Sequence, residues 1–173
     1  MSGIQLNRIT NANIYLDGNS LLGKAEEIKL PEINMLMTEH KALGMIGKFE
    51  LPTGFDKLEG EVKWNSFYAD VWRKLVDPFS FVTLQVRGSL DTYNSAGRVA
   101  QVPVVVIMTA SFKKIPLGTF KQNDNAEFSS NFNCTHIEMK VDGASILELD
   151  VMSNTYKVDG VDKLETYRQN IGG

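Results

Sequence analysis

Val82-Thr83-Leu84-Gln85-Val86-Arg87-Gly88-Ser89-Leu90 decides the class of fold. Val82, Leu84, Val86 and Leu90 fall on one side of an extended chain, and Thr83, Gln85, Arg87 and Ser89 fall on the other. That is the period of an antiparallel strand with one face buried. Working outward, Leu58, Val62 and Trp64 alternate with Glu59, Glu61 and Lys63, and Ile137, Met139 and Val141 alternate with Glu138 and Lys140. The run Val102-Pro103-Val104-Val105-Val106-Ile107-Met108 is apolar at every position and reads as a central strand covered on both faces. Pro103 has no N–H to give, so a bulge or the strand's entry is expected there. Asp17-Gly18, Asp142-Gly143 and Asp159-Gly160 are two-residue hairpin signals.

One stretch changes period. Phe67, Val71 and Leu75 recur at every fourth position, with Tyr68, Trp72 and Val76 beside them, so the spacing predicts a helix. Asn65 or Ser66 is placed to cap it and Pro78 to stop it. One helix among roughly eight strands predicts a mainly β fold, a β-sandwich or open barrel plugged by that helix.

Between the strands near Glu26–Leu30 and Lys57–Trp64 lies a segment without firm period, Met35 to Gly54, rich in Met, Leu, Ile and Phe among glycines. A connection of this length is usually functional or disordered, and one this apolar is a poor candidate for disorder. Two readings stand: an arm that buries Leu43, Met45, Ile46 and Phe49, with Gly44 at its bend, against another copy, or an ordinary hairpin with a long tip.

Composition narrows the function. At 173 residues the chain fits one domain, 1–173, and 43% hydrophobic with 23% charged residues is the balance of an ordinary globular protein. The apolar run at Val102–Met108 is far too short to span a bilayer, and Met1-Ser2-Gly3-Ile4-Gln5 lacks the form of a signal peptide, so assembly in a cytoplasm without stable membrane insertion is expected. A formal charge of -3 argues against a protein that grips nucleic acid. Cys134 is the sole cysteine, which leaves no partner for an intrachain disulfide and no cysteine-based metal site. Asn133-Cys134-Thr135 matches a glycosylation sequon only by letter.

The two histidines, His40 and His136, stand in no metal-binding spacing, and no phosphate loop or nucleophile elbow occurs. Glu26 with Glu27, or Glu148 with Asp150, has the composition of an acid and base pair, but such pairs are common on solvated strand faces. No catalytic residue, metal or cofactor is expected.

Three segments together resemble one family. Asn13-Ile14-Tyr15-Leu16-Asp17-Gly18-Asn19-Ser20 with Leu30-Pro31 is similar to its opening hairpin, and Ala42-Leu43-Gly44-Met45 to a Gly-Met motif in its long loop. Val158-Asp159-Gly160-Val161-Asp162-Lys163-Leu164-Glu165-Thr166-Tyr167-Arg168-Gln169-Asn170-Ile171-Gly172 is similar to its closing signature. The family is that of the tail tube proteins of contractile phage tails, which includes R-type pyocin tubes. It usually ends in Leu where Gly173 stands here. A type VI secretion tube subunit is the nearest alternative, and the C-terminal motif favours the phage family.

The resemblance implies a structural subunit that joins a hexameric ring through a continuous inner β-barrel, with rings stacked into a hollow conduit for DNA delivery or membrane puncture. It also implies a contractile sheath, a tape measure protein, a baseplate tube initiator and a tail terminator as partners, and DNA that passes without specific binding. The long loop is then the candidate inter-ring contact. Asp162, Leu164 and Arg168 are candidates for a lock between neighbouring subunits, against the simpler reading that the tail covers its own sheet edge. For the lumen the acidic strand face Glu59, Glu61 and Lys63, with Glu26 and Glu27, is preferred over the rival face Thr83, Gln85 and Arg87 paired with Glu127, Ser129 and Asn131.

Overall fold

A computed structural model describes residues 3–173; Met1 and Ser2, part of the stretch read for a signal, lie outside it. With 57% strand and 8% helix the chain is mainly β, as expected. Its elements are β1 (Leu6–Leu16), β2 (Asn19–Ser20), β3 (Ala25–Lys29), β4 (Met35–His40), β5 (Phe49–Phe55), β6 (Leu58–Trp64), α1 (Ala69–Leu75), β7 (Val82–Asn94), β8 (Gly97–Lys114), β9 (Phe128–Val141), β10 (Ala144–Asp150), β11 (Thr155–Val158), β12 (Val161–Asp162) and α2 (Glu165–Asn170).

Ten of the strands form one sheet in the order β12-β11-β10-β9-β8-β7-β1-β2, with β6 also pairing β9 and β3 pairing β6. The side of β9 away from β8 is therefore shared: its first half pairs β6, from Phe128↔Trp64 to Cys134↔Leu58, and its second half pairs β10. The sheet is not closed. β1 pairs β7 along its length but meets β2 only at Tyr15 and Leu16, so among the described residues no strand lies beside its outer edge from Leu6 to Asn13.

The three Asp-Gly turns occur where expected. At each, both residues have positive φ, from 48° at Asp17 to 83° at Gly18, as a two-residue hairpin turn demands. Pro103 makes no bulge. It pairs Ser89 in register, and its carbonyl accepts the Asp142 N–H where the β8–β9 ladder ends, so the missing N–H falls at the turn. Nor is β8 covered on both faces: Val104, Val106 and Met108 are buried, while Val105 and Ile107 remain half-exposed.

The apolar face of the sheet holds the core, with Leu16, Leu58, Leu84, Met108, Phe132 and Leu149 all at 2% exposure or less. α1 lies over this face. Its Val71, Trp72 and Leu75 are buried, and Trp72 packs edge-on against Trp64 and Phe128, with centroids 5.6 and 5.3 Å away. Both buried indoles find acceptors: Trp64 donates to Ser130 Oγ at 2.6 Å and Trp72 to the Pro116 carbonyl at 2.9 Å. The helix is shorter than its stripe suggests. Its N-cap is Tyr68, with no side-chain cap bond, because Asn65 donates to the Gly23 carbonyl instead, and Phe67 sits half-exposed before the helix with its ring on Trp72. A second helix, α2, was not expected at all.

Candidate functional site

Three surfaces carry the residues that the sequence singled out: the arm, the C-terminal segment and the polar face of the sheet. The segment without period is a hairpin. β4 and β5 pair in a sheet of their own, from Met35↔Phe55 to His40↔Phe49, with a register shift where Met37 meets Pro52. An arm and a hairpin are thus one object. Its strands show no alternation because nearly every residue on both faces is exposed, among them Met35, Leu36, Met37, Phe49 and Leu51.

Inside the hairpin, Lys48 pairs Glu39 at 3.3 Å, the His40 ring meets Phe49, and Thr53 Oγ1 donates to the Leu36 carbonyl. Its root is held by Phe55 on Tyr156 and by Asp56 N–H to the Asn34 carbonyl. At the tip Gly44 takes φ 88°, which lets the chain turn back between Leu43 and Met45. Leu43 and Ile46 stand fully in solvent there, at 104% and 110% exposure, and Met45 and Phe49 at 40% and 49%. A run of such side chains on one projection is the mark of a protein contact.

The C-terminal candidates turn inward on their own chain. Arg168 donates to Asp162 Oδ2 at 2.5 Å and to the Asn154 carbonyl at 2.9 Å, and Asp162 also accepts the Leu164 N–H. The guanidinium, with the Leu164 N–H behind it, holds the Asp162 carboxyl below its usual range. The pair that sequence offered to a neighbour therefore ties α2 to β12. Among the residues this segment leaves outward are three large apolar ones, Val161, Tyr167 and Ile171, each more than half exposed, set among polar Lys163, Glu165, Gln169 and Asn170.

Both candidate lumen faces prove to be the same face. β6 sets Glu61 opposite Asn131 and Lys63 opposite Ser129, and the Ser129 hydroxyl donates to Glu61. β8 sets Ile107 opposite Gln85 on one side and Glu138 on the other. Thr83, Gln85 and Arg87 thus share one side of one sheet with Glu59, Glu61 and Lys63, opposite the core. Glu27 joins them from β3, across from Lys63, whereas Glu26 falls in a register shift of that strand.

Four cations of this face are ion-paired: Lys63 with Glu27 at 3.5 Å, Lys57 with Glu59 at 3.2 Å, Lys113 with Glu59, and Lys140 with Glu138 at 3.2 Å; Lys29 opposite Glu61, Lys114 opposite Asn131 and Lys157 opposite Glu148 form no ion pair among the described residues. Arg87 lies over the Tyr15 ring, 5.1 Å from its centroid. Lys113 foremost, then Lys57, draws the Glu59 carboxyl below its ordinary value. On the other side of the sheet Cys134 is buried, and desolvation pushes its thiol up to about 12, which leaves it an unreactive core group.

Sequence reasoning missed a cluster on the polar face: His136 Nε2 lies 3.1 Å from Glu148 Oε1, with Glu138 beside them. The i, i+2 spacing of His136 and Glu138 was in view, but the partner comes across a hairpin.

Among known proteins, the chain is 29% identical over 164 residues to the tail tube protein of Escherichia phage P2, covering 92% of this chain and 94% of that one. It is 22% identical over 147 residues to the major tail tube protein of Serratia phage KSP20, covering 85% and 84%. Its fold is shared by a chain of an extracellular contractile injection system, in the cryo-EM structure of the PVC sheath-tube complex in the extended state. There the TM-score is 0.54 at 12% identity over 75% of this chain and 87% of that chain. A chain of the PVC sheath/tube terminator structure scores 0.52 at the same identity, covering 75% and 92%. Residues 6–172 match the family described as phage tail tube protein FII. The chain belongs to that family and is a structural tail tube subunit.

Proposed function

We propose that this chain, acting as a single domain over 1–173, closes into a hexameric ring whose subunits share one inner barrel, that the rings stack through the β4–β5 hairpin, and that the polar sheet face lines the bore. The observation that carries this reading is the unclosed sheet with its bare β1 edge. Unpaired strand edges invite pairing, and a ring of copies removes every one of them at once. The hairpin gives a contact along the axis, independent of the ring contact, so the stack grows open-ended.

The bore assignment rests on charge. DNA sticks where free Lys and Arg displace its counterions. On the polar face Lys63, Lys57, Lys113 and Lys140 are already matched to carboxylates. These paired cations have little charge left to displace counterions, so only Lys29, Lys114 and Lys157 remain to draw phosphate, a weak hold that suits a conduit. The function is structural, and the partners are a sheath outside, a tape measure within, and an initiator and a terminator at the ends. Val161, Tyr167 and Ile171 are offered to a neighbouring subunit in place of the Asp162–Arg168 pair.

Cryo-electron microscopy of tubes grown from the purified chain tests each part. Expected are hexameric rings joined by β1, with Glu59, Glu61 and Gln85 around the bore and Leu43 and Ile46 between rings. Tubes with Glu61 on the outer wall overturn the bore assignment, and dispersed monomers at high concentration overturn the ring.

A further inference from the structure

Strict alternation from Cys134 would send His136 into the core, since successive side chains of a strand point to opposite faces. The strand does not alternate there. Thr109 opposes His136 and Ala110 opposes Cys134, so β9 carries one extra residue, and Cys134 and Ile137 are both buried with two outward residues between them. A bulge of this kind re-aims a side chain. It places His136 on the polar face beside Glu138, and the β9–β10 register sets Glu148 directly across from Glu138.

Two carboxylates directly opposite one another repel unless something cationic sits with them. Here Lys140 lies 3.2 Å from Glu138 and the His136 ring 3.1 Å from Glu148, and ligand atoms of His136, Glu138 and Glu148 all fall within 4.8 Å of one another. We propose that His136, Glu138 and Glu148 bind one divalent transition-metal ion of the zinc type, which clips β9 to β10.

The donor set decides the class of ion. One imidazole and two carboxylates supply two negative charges to a dication and suit zinc, which takes N and O ligands at about 2.0–2.2 Å and fills an open position with water. Calcium asks for six or more oxygens, which this flat sheet does not gather. A tetrahedral sphere puts donors about 3.3–3.6 Å apart, so the three side chains close in slightly by rotation. Lys140, already 40% exposed, swings off Glu138 into water.

The other groups facing the cluster do not block it. Thr109 and Ile107 oppose His136 and Glu138 from β8, Lys157 opposes Glu148 from β11, and Asp150 is occupied by the Met152 and Ser153 N–H groups.

Titration calorimetry of zinc chloride into the chelator-treated full chain, with thermal melts in parallel, tests the site. One ion per chain is expected. Free zinc at 100 times its Kd should shift the folding equilibrium about 100-fold, about 2.7 kcal/mol, and raise Tm by about 5–10 °C for a chain of this size. Glu148→Gln, with its fold checked by circular dichroism, and His136→Ala should each lose at least tenfold in affinity. His40→Ala, which removes the histidine on the arm, should titrate like the parent. The proposal is overturned by no saturable uptake, by equal affinity in Glu148→Gln and the parent, or by equal loss in His40→Ala.

Discussion

Gly60 is the one inward-facing position of β6 without a side chain, between buried Leu58 and Val62. It sits directly opposite Phe132, whose ring crosses over it. A Cβ built on Gly60 would lie 2.3 Å from the ring's Cζ and 2.7 Å from the Lys29 carbonyl oxygen. Carbon atoms rest about 3.5–4.0 Å apart, so Gly60→Ala demands a shift of more than an ångström. The ring cannot give: Phe132 is fully buried and meets Phe112 at 5.6 Å. The second obstacle is β3 backbone.

Overpacking of this kind costs about 1–3 kcal/mol or more, and the upper end applies where neither neighbour can move. Against it, replacing Gly restricts the unfolded chain by about 0.4–1 kcal/mol. The net is about 2–3 kcal/mol of destabilisation, or a Tm lowered by about 5–10 °C. Urea melts of Gly60→Ala, Phe132→Leu and the double variant measure it. The two changes should couple favourably by about 1 kcal/mol or more, since the smaller side chain vacates the space. A urea midpoint for Gly60→Ala equal to the parent's, or strict additivity in the double variant, would show that Phe132 does not press on Gly60.

Trp72→Ala removes an indole held among Trp64, Phe67 and Phe128 and should cost about 3–5 kcal/mol; a denaturation midpoint unchanged from the parent refutes the seating of α1. Replacing Leu43, Met45, Ile46 and Phe49 together by Ser should leave the stability of the subunit within about 1 kcal/mol of the parent's, since these residues are exposed in the subunit; light scattering should then report no polymer, and tubes of normal length refute the arm's role. Changing Glu59 and Glu61 to Lys frees Lys57 and Lys113 and adds two cations to the polar face. Tubes should still form, but DNA delivery should slow, most at low salt where screening is weak, and delivery at the parental rate at every salt counts against the bore assignment.

What could be read from the residues alone follows burial. β6, β7 and β9 each have one buried face, so their alternation is visible, and the Asp-Gly turns announce themselves through the φ they require. β4 and β5 have no buried face, and without it a strand has no period to show. α2 is invisible for the same reason: its residues include none that is buried.

The candidate sites divide in another way. Leu43 and Ile46 were legible because their apolar character has no use inside the subunit. The union of the two polar faces was not, because it rests on Glu61 meeting Asn131, a pairing across 70 positions of chain. Arg168 shows the opposite error, in which a charge six residues from its partner looked free and is engaged at home. The bulge at His136 did leave a mark, a change of phase from Phe132 and Cys134 to Ile137 and Met139, but only the second phase was read.

The β4–β5 hairpin stands as a two-stranded ribbon apart from the main sheet, and a lone pair of strands is only marginally stable in water. If rings stack through it as proposed, part of its stiffening falls to the act of joining. Each incoming ring would then spend part of its contact energy on stiffening the hairpins it meets, so the first encounter would be weak and easily undone. Growth would become self-correcting: a subunit seated out of register would leave its hairpin loose and depart, while one seated properly would gain the stiffened ribbon and stay. The softness of the arm would in this way serve the straightness of a long tube.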